Sequence, residues 1–155
     1  MADLCLVALT VAYLLVLAGI AVYDARRRLI PNAAVIALAA LGFAIGLAGP
    51  HASLAHGILP LTQTIPFALA VLVAGVLLEL AWRALKGGSH GMGMGDIKLC
   101  AAAAVVQGPW VLPCLAVSCL LATAFNLIVR NDRFAFAPWL CPVFAVCFLY
   151  RAFVA

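Results

Sequence analysis

Gly91-Met92-Gly93-Met94-Gly95-Asp96-Ile97-Lys98 is the stretch on which the reading of this chain turns. Glycines alternate with methionines and lead into an acid and a base, between long apolar runs. Glycine at alternate positions removes side chains where a backbone must approach closely or take a positive φ. The stretch reads as a loop feeding a helix N-terminus, with Asp96 in the first turn. The whole chain carries only five acidic residues, so an acid at the mouth of an apolar segment is not surface decoration. A charge near the middle of a bilayer costs about 2.5–3.5 kcal/mol on insertion scales, and such residues tend to carry function.

Outward from this stretch the composition is that of a membrane protein. Of 155 residues, 68% are hydrophobic and 9% charged, against about 25% charged in soluble domains. Six spans of about 20 residues take roughly 120 residues. That leaves short loops and no separate soluble domain, so residues 1–155 read as one transmembrane domain. The net charge of +4 belongs to the ends of the apolar runs. It is a topology signal, not a nucleic-acid footprint; the expected partner is the lipid bilayer, with no nucleic acid. Six cysteines show no C-x-x-C spacing and fall mostly within apolar runs. They read as small buried thiols, not as a zinc or disulfide framework.

The fold class expected is all-α and polytopic, with spans near residues 4–23, 33–48, 58–82, 96–106, 111–129 and 136–154. The N-terminus has no basic n-region, carries Asp3 and is followed by Arg26-Arg27-Arg28, which reads as a retained first span and not as a cleaved signal. Pro31 suits the start of the second span, because a helix start leaves its N–H unused. Pro60 and Pro66 are expected to make the start of the third span irregular. Loops one-two, three-four and five-six hold three, three and two Lys or Arg, and the intervening loops hold none. By the positive-inside rule both termini lie outside, and Asp24 and Asp96 share the cytoplasmic face. Glu79 and Arg83, spaced i, i+4, read as a local helix ion pair. Asp132, between Arg130 and Arg133, reads as a paired loop charge, and His51 and His56 as solvated loop histidines.

Asp24 and Asp96, brought together, would form a working pair. At about 4 Å and an effective dielectric near 20, two carboxylates repel by about 4 kcal/mol. One keeps a proton while the other stays an anion. The anion can take a proton from water, and the acid can polarise a peptide carbonyl and later protonate the leaving amine. That chemistry needs no metal and no cofactor. Serine is scarce and no G-x-S-x-G elbow is present. The glycine loop ends in an anion and lacks the G-K-[ST] ending of a phosphate cradle. His90 with two distant carboxylates is weak ligand arithmetic for a metal. A second class of function remains open at this point, a small transporter or assembly subunit using the acids for proton or cation coupling; it would want them near the bilayer midplane.

Asp24 with Arg28-Leu29-Ile30-Pro31-Asn32, then Gly93-Met94-Gly95-Asp96-Ile97-Lys98, then Phe134-Ala135-Phe136-Ala137-Pro138-Trp139-Leu140 resembles the type IV prepilin peptidases in residue and order. These are intramembrane aspartic proteases of the Gly-x-Gly-Asp class, and Ala137 stands where their third motif usually has Gly. The resemblance implies an endopeptidase of the prokaryotic inner membrane. It would remove short basic leaders from prepilin-like membrane proteins at the cytoplasmic face, as in type IV pilus assembly. Asp24 and Asp96 would be the catalytic pair. Gly93 and Gly95 would let the loop run beside substrate, and Lys98, Pro31, Asn32 and Pro138 would support the motifs. The paired C-x-x-C insert of the longer, N-methylating members is absent from the sequence, so the chain resembles the compact, peptidase-only form. Tyr23-Asp24 with the Gly-x-Gly-Asp stretch also resembles the presenilin-type proteases. Those carry the two motifs on neighbouring spans and add a Pro-Ala-Leu that this chain lacks.

Overall fold

The computed structural model describes residues 1–53, 57–85, 93–129 and 135–154. Among the described residues the chain forms six α-helices: α1 (Ala2–Arg27), α2 (Asn32–Ala48), α3 (Leu61–Leu85), α4 (Met94–Gln107), α5 (Val111–Val129) and α6 (Ala137–Phe153). Short 3-10 turns at Gly49–His51 and Gly108–Trp110 follow α2 and α4. The protein is an all-α, multi-pass helical bundle. Among the described residues four stretches are long and apolar enough to cross a membrane: Ala2–Arg27, Asn32–His51, Leu61–Leu85 and Met94–Ile128. The last folds back near Gly108, whose φ of 57° is open to glycine at little expense. Cys100 of α4 and Leu115 of α5 accordingly line one cavity.

Helix α4 is the hub. It packs on α2, α3 and α5, while α1 packs on α2 and α6, and α5 on α6. Its run Ala101 to Ala104 is buried throughout. Lipid tails are as apolar as leucine, so helices in a bilayer associate by close packing, which small residues permit. The same logic explains Gly75 on α3, where an added Cβ would lie 2.6 Å from Cγ2 of the buried Ile97. That methyl sits on a β-branched carbon and cannot swing aside. Gly75→Ala is expected to destabilise the bundle by about 1–3 kcal/mol, read as a lowered unfolding midpoint in detergent. An unchanged midpoint would mean the two helices have slack at this crossing.

Helix α1 buries Leu6, Thr10, Tyr13, Leu17, Ile20 and Asp24 along one stripe, at the three- and four-residue steps of a helix face. Helix α6 does the same with Ala137, Leu140, Cys141, Phe144, Phe148, Arg151 and Ala152. The Tyr13 and Phe148 rings, 5.1 Å apart, join the two stripes. Leucines facing outward, such as Leu69, Leu77 and Leu120, are the lipid-facing surface of a membrane bundle.

Helix ends follow the expected boundaries within a few residues, with one consequential difference. Span one was expected to close before Asp24, but α1 runs on to Arg27, so Asp24 lies inside the helix. Arg28, in the left-handed region with φ 55°, then ends α1 through its N–H on the Asp24 carbonyl at 2.7 Å. Pro66 sits within a continuous α3, where the expected irregularity is not seen, and only Pro60 stays ahead of the helix. The Glu79–Arg83 pair forms, at 2.7 Å, although Glu79 is buried and not on an open helix face. Cys100, Cys114 and Cys141 are buried as expected, whereas Cys5 and Cys119 are exposed. His51 is exposed, as read. His56, Lys86, Ser89, His90, Gly91, Met92, Arg130, Asp132, Arg133 and Phe134 lie outside the described residues.

Candidate active site

The end of α1 and the starts of α2, α4 and α6 gather at one end of the bundle, and there the motif residues meet. Asp24 is buried at 6% exposure because it continues the inward stripe of α1. Its Oδ2 accepts the backbone N–H of Ala137 at 3.1 Å, in the first turn of α6. A helix start offers unpaired N–H groups and the positive end of its dipole, so α6 is docked on this carboxylate. Pro138 follows in the same first turn, where a missing N–H leaves nothing unsatisfied.

Asp96 occupies the first turn of α4 and is half-buried. Its N–H donates to the Gly93 carbonyl at 2.9 Å. The carboxyls of Asp24 and Asp96 lie within electrostatic reach of each other, although they come from helices far apart in the chain. Both also act on the Cys141 thiol, which α6 places beside the pair. Because the Ala137 amide can only donate, Asp24 Oδ2 is engaged as an acceptor.

The glycines act by making room. A Cβ on Gly93 would stand 3.0 Å from Asp96 Oδ2, and one on Gly95 would stand 3.1 Å from the Ile30 Cβ. Gly95 thereby lets α4 close against the turn between α1 and α2. Pro31 is the N-cap of α2, and its carbonyl receives the N–H groups of Ala34 and Val35. Asn32 opens that helix, and its Oδ1 accepts Lys98 Nζ at 3.1 Å, tying α2 to α4. Every motif residue named from the sequence among Asp24, Pro31, Asn32, Gly93, Gly95, Asp96, Lys98 and Pro138 therefore sits at this end.

The sequence reading missed three features. The Ala137 amide carries no side-chain signal. Cys141 is marked only by its phase on α6, one turn beyond Ala137. At the opposite end, Arg151 is buried, with Nη1 on the Gln107 carbonyl at 2.8 Å and Nη2 on the Gly57 carbonyl at 2.5 Å. Its guanidinium lies 5.5 Å from the centre of the Trp110 ring. Asp3, expected on the side away from the pair, is there, with its carboxylate receiving the N–H and hydroxyl of Ser53 at 2.8 and 2.9 Å.

No curated protein and no solved structure matches the chain. Among protein families, residues 11–127 match the type IV leader peptidase family, a span that includes both acids and the Gly-x-Gly-Asp stretch. That match covers well over half of the molecule, and with it the chain belongs to the type IV leader peptidase family.

Proposed function

We propose that the protein is an intramembrane aspartic endopeptidase that removes short basic leaders from prepilin-like membrane proteins, with Asp24 and Asp96 as its catalytic pair. The observation that carries this reading is the meeting of two acids from α1 and α4 at one end of an apolar bundle. One acid is held by the start of α6, and the other is partly open to solvent. In this reading the ionised carboxylate of the pair takes a proton from water as that water attacks the peptide carbonyl. The protonated partner polarises the carbonyl oxygen, and the leaving amine receives its proton as the bond breaks. Like charges at short range keep the pair to a single proton, so it titrates as a unit.

The topology belongs to the same proposal. Six crossings with both termini outside put the basic clusters and both acids at the cytoplasmic face of a prokaryotic inner membrane. Basic leaders reside there before removal. Pairing at the end of the bundle, away from its middle, also favours a hydrolase over a coupled transporter.

The test is cleavage of a membrane-embedded substrate with a Lys-rich leader by the purified chain in lipid. The reaction is expected to proceed unchanged in excess EDTA, since the pair supplies both proton transfers. Loss of cleavage in EDTA, restored by added zinc, would replace this mechanism with a metal-assisted one. Cleavage without methyl transfer to the new amino terminus is the expected product pattern.

A further inference from the structure

At the end of the bundle away from the acids, α5 and α6 leave an open cavity of about 530 Å³ between them. Trp110, Pro113, Val146 and Tyr150 line it, and so do two thiols, Cys114 of α5 and Cys147 of α6. The two thiols lie within hydrogen-bonding reach of each other. Cys114 is buried, and its Sγ also meets Gln107 Oε1 at 3.8 Å. Cys147 is half-buried and is the more accessible of the two. The Arg151 guanidinium, one helical turn beyond Cys147, lies within electrostatic reach of both sulfurs. Neither thiol takes part in the proposed cleavage chemistry.

We propose that Cys114 and Cys147 form a dithiol–disulfide site, closed into a crosslink between α5 and α6 by a disulfide-bearing oxidant outside the membrane. The choice of compartment rests on the outward placement of this end in the proposed six-crossing topology. Disulfides form and persist in extracytoplasmic compartments, whereas cytoplasmic thiols are kept reduced. Burial sets the order of events. Cys147, as a thiolate, attacks one sulfur of the oxidant and forms a mixed disulfide, and the oxidant's other sulfur leaves as a thiol. Cys114 then attacks the Cys147 sulfur and expels the remaining half of the oxidant. This second step is intramolecular, so Cys114 needs no access of its own. Two protons and two electrons pass from the cysteines to the oxidant, which departs as two thiols. A thiolate formed here faces the Arg151 cation and not hydrocarbon alone. Sulfurs already within hydrogen-bonding reach need only a small side-chain shift to meet at a bond of about 2.05 Å. Cys100 and Cys141 also come from two helices but lie beside the acids. On the reducing side of the membrane they are expected to stay thiols, which makes them an internal control.

The experiment uses the full chain in sealed, right-side-out membrane vesicles, with oxidised glutathione, which does not cross lipid, as the probe. Remaining thiols are then blocked with a maleimide, and the digested chain is mapped by mass. The expected product is a peptide pair joining Cys114 to Cys147, lighter by two hydrogens and separated again by dithiothreitol. Cys114→Ser is expected to hold glutathione on Cys147, while Cys147→Ser is expected to leave Cys114 unmodified. A chain that keeps both thiols under the oxidant, in sealed and in permeabilised vesicles alike, overturns the site. Glutathione held on Cys147 of the unaltered chain, with no crosslink, overturns the pairing. Closure only after permeabilisation upholds the pair and overturns the outward placement of this end. Leader cleavage is no part of this readout, so the peptidase reading stands or falls separately.

Discussion

Asp24→Asn and Asp96→Asn are each expected to leave the protein folded and to lower leader cleavage about a thousandfold or more. General acid and base contributions run to about 10²–10⁴-fold each, and in a shared-proton pair neither acid can substitute for the other. Folding survives Asp24→Asn because the amide oxygen of the new side chain still receives the Ala137 N–H that now docks α6 on Asp24. Asp96→Asn keeps the side-chain volume and the backbone bonds of the first turn of α4. The measurement is initial cleavage rate on a basic-leader substrate, with the unfolding midpoint of each variant as control. A variant with a normal midpoint and a rate within tenfold of the parent would show that the catalyst lies elsewhere.

The second large effect is at the far end. Arg151→Met is expected to destabilise the bundle by about 3 kcal/mol or more. The guanidinium satisfies the carbonyl that ends α4 and the carbonyl of Gly57. A hydrogen bond to a charged group contributes about 1.5–3 kcal/mol, and a buried acceptor left bare costs about 1–3 kcal/mol. Methionine fills much of the volume but donates nothing. Arg151→Lys is expected to recover only part of the loss, because one ammonium cannot reproduce a planar fork. Equilibrium unfolding in detergent reads both, and a Met variant within about 0.5 kcal/mol of the parent, on the usual scale of surface changes, would demote the contact. This cluster stands apart from the acids, so the same variant tests the scaffold separately from the chemistry.

The all-α class, the helix order and the grouping of the motif residues were legible because they depend on run length, proline, glycine and the placement of Lys and Arg. Which face of a helix points inward was much less legible. In α1 nearly every residue is apolar, and lipid accepts apolar side chains as readily as the core does. Only Thr10, Tyr13 and Asp24, in phase with one another, mark the buried stripe. Those three would have put Asp24 inside the bundle and not at the boundary. Arg151 escaped for a related reason. Positive charge was read as a topology signal, while this one is consumed inside the fold by two carbonyls. The Ala137 amide was invisible in principle, since every non-proline residue owns one and only tertiary structure decides which is free to donate.

The brevity of α4 has a consequence of its own. Fourteen residues make a cylinder about 21 Å long, roughly 9 Å less than the hydrocarbon layer of an ordinary bilayer. Bilayers accommodate a short central segment by thinning locally or by letting polar groups reach inward. In the proposed six-crossing topology, anchoring the hub at its far end through Arg151 would leave Asp96 recessed beneath the headgroups, with hydration drawn down to meet it. A reaction that consumes H₂O could then run at a depth where unperturbed lipid would be dry.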